Sequence, residues 1–312
     1  MELYLKVAVT SAALSLIMTP LLRKISYKVG AVDQPKESRK IHNHVMPRLG
    51  GPAIFLSFLI SLIMYVPLET EFYGLLMGSI LILVIGMLDD IYGLSPLIKL
   101  GGQVAAVLVF IAFGNQVEFL TNPFDGLFYL GVLSIPVTVM WMVGVTNALN
   151  LIDGLDGLAS GVSAIALTAF AIIAVQNEQM LVALTALALL GGILGFLKYN
   201  FYPAKIFLGD SGSLLLGYMI SALSVMGLLK SVTMVTFIIP MLLLGVPILD
   251  TFFAILRRYW HKRPIFQADK GHLHHRLLNL GMSHKQAVLF IYLISVGFGI
   301  GAVLFFQNGT GF

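Results

Sequence analysis

Two asparagines and two aspartates recur three residues apart in Asn147-Ala148-Leu149-Asn150-Leu151-Ile152-Asp153-Gly154-Leu155-Asp156-Gly157-Leu158, between two long apolar runs. Amides and carboxylates at such a place either cap the helices on each side or bind something polar. At about 100° per residue, steps of three drift by about −60°, so the four side chains cannot share one helical face. Gly154 and Gly157 loosen the backbone at that point. The stretch therefore reads as the last turns of a helix carrying Asn147 and Asn150, followed by a turn carrying Asp153 and Asp156.

Other polar clusters interrupt an otherwise apolar chain. Asp89-Asp90 ends one apolar segment, and Ser95-Pro96 opens the next as an N-cap and first-turn pair, with Lys99 and Gln103 one turn apart on one face. Phe207-Leu208-Gly209-Asp210-Ser211-Gly212-Ser213 opens a later segment, and His272-Leu273-His274-His275 lies in the last long loop. Each has a plain structural reading. Asp89 and Asp90 can end a helix at the water boundary, Asp210 can cap one, Lys99 can snorkel, and the histidines can be solvated. Each also has a chemical one. Adjacent carboxylates repel unless a cation relieves them, and glycines with hydroxyls at a helix N-terminus suit a metal–phosphate site. Asp250, inside an apolar segment, is a candidate by its cost alone, with a hydrogen bond to a neighbouring helix as the alternative.

The elements that must position these groups are membrane spans. The 312 residues are 58% hydrophobic and 11% charged, with a mean hydropathy of +0.93, against about a quarter charged in soluble domains. About ten apolar segments of spanning or near-spanning length run over 3–22, 49–66, 72–89, 97–113, 130–149, 157–176, 180–198, 211–229, 233–256 and 286–306. The first is expected to be a retained span, since Arg23 and Lys24 follow it without a small-x-small cleavage pattern. Of the 19 Lys and Arg, 17 fall in alternate loops, leaving only Lys6 and Lys230 opposite. The positive-inside rule makes the rich side cytoplasmic and puts both termini outside. The expectation is one all-α polytopic domain over 1–312, with cytoplasmic loops about 23–48, 90–96, 150–156, 199–210 and 257–285. Every polar cluster then lies on the cytoplasmic side.

The net charge of +4 belongs to those loops and is no nucleic-acid signature. The absence of cysteine excludes disulfides, thiolate catalysis and cysteine-ligated metals. No G-x-x-x-x-G-K-[ST] loop is present, and the spacing around Asp153 is wrong for an EF-hand. A turn is expected at Asp125-Gly126. The G-x-x-x-G pairs Gly191/Gly195 and Gly297/Gly301 suit close helix packing, within the chain or in a homodimer. Carboxylates suit Mg²⁺ with phosphate oxygens and water, and basic residues suit phosphate. The inventory points to phosphoryl transfer at a membrane surface.

At these residues the sequence resembles the polyprenyl-phosphate N-acetylhexosamine-1-phosphate transferase family. The likeness runs in order through Ala31-Val32-Asp33-Gln34-Pro35, Pro47-Arg48-Leu49-Gly50-Gly51, Asp89-Asp90, Asn147–Leu158, Phe207–Ser213, Pro247-Ile248-Leu249-Asp250-Thr251 and His272–Arg276. The H-x-H-H form is similar to the branch that starts teichoic acid, O-antigen or other cell-wall glycopolymers. The peptidoglycan branch, which moves phospho-MurNAc-pentapeptide, usually shows three consecutive histidines. The resemblance implies a multi-pass enzyme of the bacterial plasma membrane that takes UDP-GlcNAc and undecaprenyl phosphate and gives undecaprenyl-diphosphate-GlcNAc and UMP. It implies Mg²⁺, with Mn²⁺ as a substitute, on Asp210 with Asp153 and Asp156. It further implies Asp89 and Asp90 at the lipid phosphate, and Asn147, Asn150, Asp153 and Asp156 around nucleotide and metal. His272, His274 and His275 would hold the diphosphate, and Arg48 and Lys99 would contact phosphate. Other UDP-HexNAc donors and an ion-coupled secondary transporter are the competing readings; a transporter site belongs near the midplane, whereas these carboxylates crowd one surface.

Overall fold

The computed structural model describes residues 1–33, 45–67, 70–121, 127–227, 238–262 and 271–309. The Asp125-Gly126 turn lies outside them, as do Lys36, Arg39, Lys40, Lys230, Arg263 and Lys270 of the charge pattern. In chain order the elements are α1 (Glu2–Val29), β1 (Val32–Asp33), β2 (Met46–Pro47), α2 (Gly50–Tyr65), α3 (Thr70–Tyr92), α4 (Pro96–Ala112), β3 (Phe119–Thr121) and β4 (Leu127–Tyr129). A 3-10 turn at Gly131–Leu133 leads into α5 (Ser134–Ile152), followed by α6 (Leu158–Gln176), α7 (Met180–Asn200), α8 (Gly209–Gly227), α9 (Ile238–Leu243), α10 (Gly245–Trp260), α11 (Leu273–Asn279) and α12 (His284–Gly309). The short strands pair antiparallel, Val32 with Pro47 and Asp33 with Met46, and Phe119 with Tyr129 across the expected turn.

Among the described residues six helices are long and apolar enough to cross a membrane: Glu2–Val29, Phe72–Tyr92, Gly131–Ile152, Leu158–Gln176, Met180–Asn200 and His284–Asn308. The chain is a multi-pass α-helical membrane protein. Segments two and four are shorter apolar helices, Gly50–Tyr65 and Pro96–Ala112. The ninth segment is not one helix. It breaks at Leu244, between α9 and α10. Pro247 explains the break, because it offers no N–H and its ring crowds the carbonyl of Leu243 four residues earlier.

Helix α8 is the axis of the bundle. It is buried on all sides from Ser211 to Gly227, as an all-round apolar helix must be. Its close neighbours are admitted by glycine: a Cβ at Gly78 of α3 would strike the Tyr218 ring, and one at Gly217 would meet the Thr146 backbone of α5. Helix α1 packs on α7 through a serine and threonine stripe, Ser11, Ser15 and Thr19. A Cβ at Gly191 would collide with the carbonyl of Ala8, and one at Gly195 with that of Ala12. The first G-x-x-x-G pair is therefore an intrachain contact, the close backbone approach such pairs permit. Gly297 and Gly301 differ: a Cβ there would meet nothing within 4 Å, whereas Gly299 faces Ala169 of α6. Pro20 deprives the Leu16 carbonyl of its helical donor. Tyr199 of α7 supplies a replacement, its hydroxyl donating to Leu16 O at 3.1 Å.

Candidate active site

The site forms where the C-terminal ends of α3, α5 and α7 meet the N-terminal ends of α2, α4, α6, α8 and α12. Asp89 and Asp90, adjacent on the last turns of α3, diverge. Asp90 is buried and accepts the Asp210 amide at 2.9 Å and the Ser211 amide at 3.0 Å. These are orphan donors at the start of α8, so the carboxylate caps α8 from another helix and meets the positive end of its dipole. Two glycines make this approach possible. Gly209 has φ +72, and a Cβ on it would strike Arg48 O and the Asp90 carboxylate; a Cβ on Gly86 would strike the Ser211 backbone. Asp210 is thus not the cap of its own helix, and its side chain is free to face the cavity.

Asp89 turns toward α4. One oxygen accepts the Leu94 amide at 2.7 Å and the other accepts from Lys99 Nζ at 3.1 Å. The same ammonium donates to Asp210 Oδ2 at 2.9 Å. Ser95 starts α4 with its hydroxyl accepting from the Ile98 amide, and Pro96 occupies the first turn, which fixes where Lys99 projects. One turn on, Gln103 pairs with Asn147: Asn147 Nδ2 donates to Gln103 Oε1 at 2.6 Å and to Val143 O at 2.8 Å. Asn150 Nδ2 donates to Ser213 Oγ at 2.9 Å. Both asparagines therefore bind α5 to its neighbours, and neither lines the cavity. The drift of spacing by three sends Asn147 to α4 and Asn150 to α8, and the end of α5 at Ile152 leaves the aspartates to the turn.

Asp153 ends α5 and Gly157, at φ +78, starts α6. Between them the chain presents Asp153 and Asp156 to a cavity of about 430 Å³. Its other walls are Asp33, Met46 and Arg48, Asn200 and the stretch from Tyr202 to Ala204, Phe207 to Asp210, and His275 and His284. Burial, then the negative charges of Asp210 and Asp90, push the Asp153 carboxyl up to about 8 against the opposing pull of Arg48. Asp156 Oδ2 accepts the Ala204 amide at 2.9 Å, and its own amide donates to His284 Nε2 at 2.9 Å. Arg48 reaches the opposite wall from the β1–β2 pair, its guanidinium 3.2 Å from Asp33 Oδ1 and its amide donating to Ser26 Oγ at 3.1 Å.

The histidines are held by Asp250. Its Oδ2 lies 2.9 Å from His272 Nδ1 and its Oδ1 accepts the Leu273 amide at 2.8 Å, so this carboxylate of α10 caps the first turn of α11. Of the two readings open for Asp250, the neighbouring hydrogen bond is the one observed. The rings of His272 and His274 lie parallel, 6.0 Å between centroids. His274 packs over Gly154, where a Cβ would collide with its ring. Its Nδ1 is buried without a hydrogen-bond partner. Burial, followed by the charges of His275 and His272, holds its pKa down to about 4, so the ring is neutral. His275 alone of the three lines the cavity.

Four cavity residues with polar side chains are not among the site residues expected from sequence: Asp33, Asn200, Tyr202 and His284. For His284 a signal was available. Ser283-His284-Lys285-Gln286 has capping-box form, and Ser283 and Gln286 exchange both capping hydrogen bonds in the structure. Nothing in the local sequence marks Tyr202 or Asn200.

Asp89, Asp90, Asp153, Asp156 and Asp210 gather at this end of the bundle with Lys99 and Arg48, and of these Asp153, Asp156, Asp210 and Arg48 line the cavity itself, an excess of negative charge that a cation would relieve. Among the described residues no three Asp, Glu or His side chains converge as a ready-made metal site. Asp210 and Asp153 both face the cavity, and two carboxylates completed by water and phosphate oxygens are a fit ligand set for a hard divalent ion.

The family description Glycosyl transferase family 4 matches residues 72–228, the stretch from α3 to α8 that holds all five of these aspartates. The chain is 46% identical to the probable undecaprenyl-phosphate N-acetylglucosaminyl 1-phosphate transferase of Bacillus subtilis (strain 168), over 93% of this chain and 81% of that protein. It is 31% identical to the undecaprenyl-phosphate alpha-N-acetylglucosaminyl 1-phosphate transferase of Thermotoga maritima, over 96% of this chain and 98% of that protein. It is also 33% identical to the phospho-N-acetylmuramoyl-pentapeptide-transferase of Halalkalibacterium halodurans, over 95% of this chain and 94% of that protein. Likeness along nearly the whole length, and a family pattern that coincides with the carboxylate-bearing helices, lead to one conclusion: the chain belongs to glycosyl transferase family 4.

Proposed function

We propose that the chain transfers GlcNAc-1-phosphate from UDP-GlcNAc to undecaprenyl phosphate, giving undecaprenyl-diphosphate-GlcNAc and UMP, the first membrane step of a cell-wall glycopolymer. The observation that carries this reading is the Lys99 ammonium set between Asp89 and Asp210, at the edge of a cavity faced by Asp153 and Asp156. Donor and acceptor follow from the names of the relatives at 46% and 31% identity. The cavity is read as facing the cytoplasm at a bacterial plasma membrane, since the chain segments around it carry the basic residues Arg48, Lys198 and Lys205, which the positive-inside rule assigns to that side.

A phosphate monoester has a second pKa of about 6, so the lipid phosphate is largely dianionic at neutral pH. It needs orientation and charge relief more than a strong base. Lys99 provides a positive group that an incoming phosphate can share with Asp89 and Asp210, and Arg48, held by Asp33, provides another on the donor wall. A lipid phosphate oxygen attacks the β-phosphorus of the donor, the bond from that phosphorus to the UMP oxygen breaks, and UMP leaves. Asp210, with Asp153 and Asp156, would hold Mg²⁺, which when bound neutralises diphosphate charge. Asp90 keeps Asp210 in register by holding the start of α8.

Purified protein with Mg²⁺ and undecaprenyl phosphate should release UMP from UDP-GlcNAc in preference to UDP-GalNAc and UDP-MurNAc-pentapeptide. Preference for the pentapeptide donor would move the chain to the peptidoglycan branch, and no UMP from any donor would remove the enzymatic reading. A phosphoenzyme formed from donor without lipid would replace direct attack with a two-step route.

A further inference from the structure

We propose that His284 is a positioning residue for the transfer reaction: presented by the first turn of α12, its Nε2 holds the Asp156 amide and with it the Asp153–Gly157 loop. This deepens the function proposed above and rests on it. The rest of α12 is an apolar span.

The geometry makes His284 an acceptor. The Asp156 amide lies in the turn between two helices, outside either helical ladder, and a half-buried backbone donor needs a partner. His284 Nε2 supplies it at 2.9 Å. A ring nitrogen that accepts from an N–H carries no proton, so the imidazole is neutral with its hydrogen on Nδ1. The nitrogen facing the loop is therefore occupied by the protein, which separates this residue from a group that would bind phosphate. Asp156 is gripped at its other end as well, its carboxylate accepting the Ala204 amide at 2.9 Å.

Two further contacts hold the ring and the loop. Tyr202 stacks on His284 with centroids 4.6 Å apart and planes inclined by 28°, and the Ser283–Gln286 capping pair fixes the helical turn beneath. Two turns along α12, the Tyr292 hydroxyl donates to Gly157 O, and its ring fills the space that a side chain at Gly161 would need. The loop is thus clamped at Asp156 and at Gly157 by one helix. That helix follows directly on α11, which carries His274 over Gly154. His284 therefore ties the aspartate loop to α12, beside the contact that His274 of α11 makes with Gly154.

Replacement by Gln and by Phe separates the two contacts of the ring. Gln keeps an acceptor near the position of Nε2, whereas Phe keeps the stack on Tyr202 and removes the acceptor. The expected result for His284→Phe is a fall in kcat of about tenfold or more with the donor KM changed less than about threefold, since a displaced loop loses interactions of the transition state more than ground-state binding. Amide exchange across 153–158, measured without substrate, should quicken in His284→Phe and not in α8. His284→Gln should restore both readouts toward wild type. If His284→Phe does not purify as a folded protein, His284→Met tests the same loss. Wild-type kcat and exchange in the apolar variants, or equal damage in His284→Gln, would overturn the proposal. Exchange does not depend on turnover, so a chain that released no UMP from any donor would refute the function while the clamp was still tested.

Discussion

Asp90 and Asp210 lie 120 residues apart, yet the Asp90 carboxylate accepts the Asp210 amide at 2.9 Å and the Ser211 amide at 3.0 Å. One aspartate thus fixes the helix start that presents the other. Replacing Asp90 by Asn turns an N–H toward an N–H and should cost about 1–3 kcal/mol of stability. The thermal midpoint in detergent should fall together with UMP release; an unchanged midpoint would deny Asp90 this capping role.

Lys99 is the cation between Asp89 and Asp210. Lys99→Met should reduce transfer by about 10²–10³-fold, the scale of removing one preorganised charge partner. Lys99→Arg should recover only part of this, because a planar fork does not reproduce a point charge between two carboxylates. Steady-state UMP release from both variants checks the order.

Asp153 carries a carboxyl pushed up to about 8 by burial and by Asp210 and Asp90. Its charged form is strained near neutral pH when no cation balances it. Asp153→Asn should therefore raise the thermal midpoint of metal-free protein while removing activity. Mg²⁺ at a hundredfold excess over Kd should stabilise the wild type by about 2.7 kcal/mol, and the variant much less. EDTA should reverse the wild-type gain. A midpoint that falls in the variant would reverse the sign of the argument.

His274 is held neutral, with its pKa lowered to about 4, against about 6.5 in an unfolded chain. The folded protein then binds fewer protons than the unfolded one between these values. The associated stability is fully present above pH about 6.5 and is lost as pH falls through about 4. Thermal midpoints measured from pH 7 downward should decline less steeply in His274→Asn than in the wild type.

The chain's pattern alone made much of this legible. Long apolar runs forced helices, because backbone polar groups in lipid must be satisfied within the segment. The lysines and arginines, gathered in alternate loops, ordered the spans. Gly154 and Gly157 marked Asp153 and Asp156 as turn residues, beyond the helix that carries Asn147 and Asn150. Those are one-dimensional signals, carried by periodicity and local composition.

Tertiary structure decided which neighbour each polar group met. Asp89 and Asp90 are adjacent, yet one pairs with Lys99 and the other with α8, because a single helical step turns a side chain by about 100°. Asp250 reached the histidines through a helix broken at Leu244, and His284 reached Asp156 across 128 residues. Hydrogen bonds depend on distance and direction in space, which spacing along the chain does not encode. Asn147–Leu158 could be recognised from its residues, but its division into packing amides and cavity carboxylates arose only when α4, α8 and α12 closed around it.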